Sequence, residues 1–346
     1  MSVTDPGADD GGAAESLALA ERAGIHRLAV PTPFLVGRVN CYLIEDEPLT
    51  LIDTGPNSGK SLDELERALH QHGHGIEDLG LIVLTHQHMD HVGLLEILAR
   101  RSGAEVAALY LLGPYLENFG SSATADDEFS QGVMRRYGVP SDLATVLGSV
   151  GTAFRAFGSS GHVDRGLHDE DTVRLRDRTL RVFHRPGHSP SDTIFWDEDR
   201  RILLAGDHLL AHISSNPLVS RPLAPAAGDE PVERPRALVD YMSSLRATRE
   251  LGAELILSGH GDPIRNHQVL IDERLRMHER RARKMLRMLE EQPLTGYEVA
   301  LRMWGNVAVT QAYLTLSEVL GHMDLLIGEG RVQERPEGEL VRFAAV

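Results

Sequence analysis

Cysteine is almost absent: Cys41 is the only one in 346 residues. No intrachain disulfide can form, and a thiolate cluster is equally excluded, so any metal must be held by His, Asp or Glu. Aromatic residues make up only 5% of the chain, which leaves little surface for stacking single-stranded bases. Positive charge is scarce as well. The 35 Lys and Arg face 51 Asp and Glu, a net charge of −16 that disfavours a broad grip on nucleic acid or an anionic membrane. No run approaches the ~18 apolar residues of a membrane span. The N-terminal segment has no basic stretch leading into an apolar one, so it does not read as a signal peptide. These absences lead us to expect a cytoplasmic protein with no membrane partner.

What is present is a large hydrophobic fraction, 42%, enough to bury a sizeable core. The Gly, Asp and Ala content of residues 1–20 reads as a flexible leader. Over residues 21–268 short apolar runs alternate with helical spacing, the rhythm of a layered α/β unit. Two stretches break it, residues 113–166, where pieces such as 126–137 and 141–147 look helical and are joined by Gly and Ser, and the proline-rich 214–236; both are candidate substrate loops or plain surface insertions. Residues 269–346 change character. A long helical pattern, a capping-box signature from Thr295 to Glu298, a further helix and a small hairpin suggest a separate helical, winged-helix-like subdomain.

The densest chemistry lies in LTHQHMDHVG, where His86, His88, Asp90 and His91 follow an apolar run directly. These four could not converge from a helix. In a loop leaving a strand, alternate residues face one side, so His86 and His88 can share one ion while Asp90 and His91 face a second. Four more apolar runs end at a polar residue and a glycine: LIDTG at Asp53, RPGHSPSD at His188, LLAGDH at Asp207 and LILSGH at His260. Strand ends are where α/β sheets collect ligands.

LIDTG, THQHMDH, PGHS, AGDH and SGH, in this order, resemble the five motifs of the metallo-β-lactamase superfamily, of hydroxyacylglutathione-hydrolase-like type. The resemblance implies a four-layer αββα sandwich over residues 21–268 with a binuclear site on one edge. It implies that His86, His88 and His188 hold one metal, that Asp90, His91 and His260 hold the other, and that Asp207 bridges the two. Asp53 would hydrogen-bond the HxHxDH loop without touching metal, and outer partners of this kind fix ring orientation. The implied cofactors are two divalent ions, Zn²⁺ first and Mn²⁺ or Fe²⁺ as alternatives. The implied reaction is hydrolysis by a water ionised between the ions, held by Asp207, with Asp90 helping to orient it.

For the substrate, an acyl thioester or related small ester comes first, a metal-dependent single-strand endoribonuclease second, and a lactonase or β-lactamase behind these. The motif SGHGDP departs from the glyoxalase II pattern, which sets that enzyme aside. His208 and His212, beside Asp207, are candidates for facing the substrate. The helix over 273–287 carries seven basic residues and two acidic ones, either a solvated face with pairs such as Asp272–Arg276 and Glu279–Arg283 or an RNA contact. DNA is not expected, because residues 310–321, the would-be recognition helix, hold Glu318 and no Lys or Arg. A homodimer contact through the C-terminal subdomain is one expected partner surface.

Overall fold

The computed structural model describes residues 10–223 and 234–346. Its strands are β1 (Ile25–Val30), β2 (Val39–Ile44), β3 (Thr50–Ile52), β4 (Leu81–Val83), β5 (Glu105–Leu109), β6 (Arg165–Leu167), β7 (Thr172–Arg174), β8 (Thr179–His184), β9 (Thr193–Asp197), β10 (Ile202–Gly206), β11 (Leu255–Ser258), β12 (Leu294–Thr295), β13 (Val332–Glu337) and β14 (Leu340–Ala345). Its helices are α1 (Asp10–Arg22), α2 (Gly59–Gln71), α3 (Met89–Val92), α4 (Leu95–Ser102), α5 (Leu112–Glu117), α6 (Phe119–Arg136), α7 (Ser141–Phe154), α8 (Ala237–Arg249), α9 (His267–Glu291), α10 (Gly296–Trp304), α11 (Val307–Thr310) and α12 (Ala312–Gly328).

Strand side chains alternate between faces, and here both faces are apolar. In β2, Tyr42 and Ile44 meet Ile202, Leu204, Leu255 and Leu257 of the other sheet. Cys41 and Leu43 point the opposite way, onto Leu65 and Leu69 of α2 and Leu95 and Leu98 of α4. The second sheet mirrors this, with Leu203, Ala205 and Ile256 packed on Leu238, Tyr241, Met242 and Leu245 of α8. The result is the expected four-layer αββα sandwich. One sheet runs β1-β2-β3-β4-β5-β6 and the other β11-β10-β9-β8-β7.

The strand directions place the five motifs together. β3, β4 and β5 are parallel, as are β10 and β11. β8 pairs antiparallel with β9, and β9 antiparallel with β10, so β8 points the same way as β10. Asp53, His86, His188, Asp207 and His260 each follow the C-terminal end of a strand. The sheets are tied at that edge: the Thr193 N–H donates to the Thr85 carbonyl at 2.9 Å and the Asn40 N–H to the Gly259 carbonyl at 2.7 Å.

Several expectations change. The leader is helical from Asp10, because α1 has Ser16 and Ala20 buried against the sandwich; residues 1–9 lie outside the described residues. Within 113–166 the helical pieces expected at 126–137 and 141–147 form, but as parts of the longer α6 and α7, with α5 before them, and Val133, Met134 and Ala144 are buried in the C-terminal core. Of the stretch 214–236, residues 224–233 lie outside the described residues. No linker separates the C-terminal elements at 268. α9 begins on the second sheet with Ile271 and continues into a different core through Ala282, Met285, Leu286 and Leu289. That core joins α10, α12 and the three-stranded sheet β12-β14-β13 to Val133, Met134 and Tyr137 from the α6 end. Asp272 pairs with Arg249 at 2.7 Å rather than with Arg276, since Arg249 at the end of α8 reaches it with a two-pronged guanidinium. Among the described residues no Glu279–Arg283 pair forms either. No helix among the described residues is long and apolar enough to cross a membrane.

Candidate metal centre

The motif loops bring three overlapping groups together. His86, His88 and His188 form one, Asp90, His91 and His260 a second, and His86, His91 and Asp207 a third, with ligand atoms within 4.8 Å of one another in each. All seven residues of the sequence reading are therefore in one place. Asp207 lies between the groups: its Oδ2 is 3.6 Å from His188 Nε2 and 3.4 Å from His260 Nε2, and its Oδ1 is 3.5 Å from His91 Nε2.

Hydrogen bonds on the far side of the rings fix which nitrogen faces inward. The Thr85 hydroxyl donates to Asp53 Oδ2 at 2.8 Å, so it accepts from His86 Nδ1 at 2.9 Å. His91 Nδ1 donates to Asp53 Oδ2 at 2.8 Å, His188 Nδ1 to the Asn216 carbonyl at 3.1 Å, and His260 Nδ1 to the Arg38 carbonyl at 2.8 Å. In their neutral form these four imidazoles thus carry the proton outward and turn Nε2 to the centre. His88 instead turns Nδ1 inward, 3.1 Å from His86 Nε2 and 3.0 Å from His188 Nε2. One N–H cannot be linear to both lone pairs. A tetrahedral ion with nitrogen ligands at about 2.0–2.1 Å would space them about 3.3 Å apart.

A second observation tests the fit. His91 Nε2, His260 Nε2 and Asp207 Oδ1 are buried and have no hydrogen-bond partner. Orphaned polar atoms are costly in an interior, and three aimed at one point are what a cation would satisfy. The donor set, five imidazoles and two carboxylates, suits a borderline divalent ion. Burial drives His86 far below the usual imidazole value, helped by His91 and His88, and drives His88 to about 3, so both are neutral donors. Burial opposes protonation of His91 too, yet the Asp207, Asp53 and Asp90 carboxylates outweigh it and hold His91 up. Burial also works against the Asp207 carboxylate, but His260 and His91 hold it well below the carboxylate range. A cation would take over that charge balance.

The backbone is shaped to the same end. Asp53 is a left-handed residue at φ 59°, a conformation that costs a non-glycine about 1–2 kcal/mol. It persists because its carboxylate takes three bonds, from the Thr85 N–H, the Thr85 hydroxyl and His91, each 2.8 Å. At Gly259 a Cβ would lie 2.3 Å from Asp207 Oδ1 and 2.8 Å from His91 Cε1, so no other residue fits.

Two sequence candidates do not join the centre. His208 is wholly buried on the opposite side of its strand, bonded through Nε2 to the Thr248 hydroxyl of α8 at 2.9 Å. Residues leaving a strand alternate sides, so a neighbour of Asp207 points away from it. His212 stays at the rim, exposed and bonded to Asp262 at 2.9 Å. Sequence reasoning missed Thr85, Arg38 and Asn216. Thr85 sits inside the motif and was readable as a hydroxyl beside a ligand. Arg38 and Asn216 act through main-chain carbonyls, which any residue supplies. A further buried group, His278, Glu318 and His322, lies between α9 and α12; there Arg281 already neutralises Glu318 and His322 Nδ1 donates to the Glu318 carbonyl.

A family model described as the metallo-beta-lactamase superfamily matches residues 35–260. The chain belongs to that superfamily, and it is a metal-dependent hydrolase. It is similar to the "Probable metallo-hydrolase YqjP" of Bacillus subtilis, 33% identical over 316 residues that cover 91% of this chain and 96% of that protein. A stretch of 41 residues, 12% of this chain and 15% of the other, is 49% identical to the human "Acyl-coenzyme A thioesterase MBLAC2". Among solved structures, the metallo-beta-lactamase family protein TTHA1429 from Thermus thermophilus superposes with a TM-score of 0.75 at 25% identity, covering 93% of this chain and 99% of that one.

Proposed function

We propose that this protein hydrolyses acyl thioesters, with His86, His88 and His188 holding one divalent ion, Asp90, His91 and His260 a second, and Asp207 shared between them; zinc suits this donor set. A bound pair of such ions supplies Lewis acidity for a substrate carbonyl and lowers the pKa of water toward neutrality. The chain's own part is orientation. Asp53 and Thr85 fix the rings of His91 and His86, the Arg38 carbonyl fixes His260, and the Asn216 carbonyl fixes His188. Asp90, whose Oδ2 lies 3.3 Å from His260 Nε2, is placed to orient the attacking water.

The observation that carries the thioester reading is the rim. The loop ending at Arg38, whose carbonyl holds His260, projects Leu35 at 94% exposure with Val36 beside it. In the same loop Phe34 packs on Phe154 and Phe157 at 5.4 and 6.2 Å between ring centres. Exposed apolar side chains on a loop that touches the metal centre suit an acyl chain. The similarity to a protein named an acyl-coenzyme A thioesterase supports the same reading.

A second reading, single-strand endoribonuclease, has one observation in its favour. Arg276, Arg280, Arg283, Lys284 and Arg287 are exposed on one face of α9, and none forms an ion pair with another described residue. The test is a substrate panel of acyl-CoA, acyl-glutathione, a lactone and single-stranded RNA on metal-loaded protein. Turnover of acyl thioesters with intact RNA is the expected result, and RNA cleavage with inert thioesters would reverse the order. We further propose that the C-terminal elements form a winged-helix-like unit packed beside the catalytic cleft.

A further inference from the structure

The rings of His86, His91 and His260 are oriented by groups that belong to the two catalytic sheets and the loops leaving them. His188 is different. Its Nδ1–H donates to the Asn216 carbonyl at 3.1 Å, and the His188 carbonyl accepts from the Leu218 N–H at 3.3 Å. The segment 216–218 therefore grips residue 188 from both its side chain and its main chain.

Besides the bonds to His188, the chain just before that segment is tied to the catalytic side by the Ser215 hydroxyl, which donates to the Asp207 carbonyl at 2.5 Å. Its other hydrogen bonds among the described residues include three to α12. The Asn216 side-chain amide donates to the Leu314 carbonyl at 3.1 Å, the Val219 N–H donates to the Ser317 hydroxyl at 3.3 Å, and the Tyr313 hydroxyl donates to the Val219 carbonyl. The Val219 side chain is fully buried in the C-terminal core with Leu316 and Leu320. Asn216 faces both ways, its carbonyl to His188 and its amide to α12. Pro217 restricts the Asn216 backbone toward extended conformations, which limits how far its carbonyl can turn.

We infer that Asn216 is a positioning residue through which α12 sets the orientation of His188, making the C-terminal unit part of the metal centre's support. This rests on His188 being a ligand. Loss of an outer hydrogen bond to a ligand typically weakens metal affinity by about 10–100-fold. The loss should fall on the His86–His88–His188 group and spare Asp90–His91–His260.

The test uses the full chain. Zinc affinity of each of the two steps is measured by chelator competition, with cobalt(II) absorption as a report on coordination and a melting curve alongside. Asn216→Ala and Ser317→Ala should each weaken one step by about 10-fold or more and change the cobalt spectrum. Ser317→Thr, which keeps the hydroxyl, should restore both. Phe343→Leu, in the same C-terminal core but away from the tether, should lower the melting temperature and leave both steps unchanged. Unaltered affinities in Asn216→Ala and Ser317→Ala, with His188→Ala losing one ion, would overturn the tether. Equal weakening by Phe343→Leu would overturn it as well. Retention of both ions by His188→Ala would instead overturn the ligand assignment beneath it.

Discussion

Asp53 Oδ2 accepts the Nδ1 proton of His91 at 2.8 Å, and the same oxygen accepts from the Thr85 hydroxyl that in turn holds His86. One buried carboxylate thus orients a ring in each half of the metal centre without facing it.

Asp53→Ala should lower metal affinity by about 10–100-fold, because orientation is lost while every ligand remains. His86→Ala should remove an ion outright. Metal content after dialysis against a weak chelator separates the two, and equal, complete loss in both variants would place Asp53 among the ligands.

Gly259→Ala should abolish metal binding and activity together. The added Cβ would sit 2.3 Å from Asp207 Oδ1, and that carboxylate cannot retreat without leaving His260. Gly120→Ala, on the open face of α6, meets nothing within 4 Å and serves as the control. Normal metal content in Gly259→Ala would show that the loop after β11 gives way.

Asp46 lies in a buried pair with Arg178, at 3.2 Å. Burial alone would raise its pKa, but N–H bonds from Glu47 and Asp177 and the Arg178 guanidinium bring it below the ordinary carboxylate value. A depressed folded pKa stabilises the protein above the unfolded value of about 3.9 and loses that contribution as pH falls through the folded pKa. Denaturant midpoints should show wild type well above Asp46→Asn at pH 7, with the gap closing below about pH 4. A gap independent of pH would mean the pair is not ionised.

Charge reversal at Arg280, Arg283 and Lys284 should leave acyl-thioester turnover unchanged within about two-fold, the scale of effects expected for screened exposed charges. Arg281 is excluded from this set because it neutralises Glu318 inside the C-terminal core. A collapse of RNA cleavage in the triple variant, steeply salt-dependent, would favour the nuclease reading.

The sandwich and all seven clustered residues were legible in the sequence because each motif sits where an apolar run stops. A strand end fixes where the next polar residue goes, so position along the chain translates into position in space. The support around them was much less legible. Arg38 and Asn216 contribute carbonyl oxygens, and a main-chain carbonyl leaves no mark in residue type. His208 misled for the opposite reason: its ring is chemically suitable, but the alternation that points Asp207 inward turns His208 into α8. Of α6 and α7, the parts within 126–137 and 141–147 were legible as helix, whereas the Gly- and Ser-bearing remainders, 119–125 and 148–154, show no helical pattern of their own.

The most direct measurement titrates a divalent ion into metal-free protein while following hydrolysis of an acyl-CoA thioester. A shared two-ion centre predicts no turnover without metal, turnover that saturates at two equivalents, and joint loss of binding and turnover in Asp207→Ala. Full thioester hydrolysis by the metal-free protein, or two tightly bound equivalents and wild-type turnover in Asp207→Ala, would contradict it.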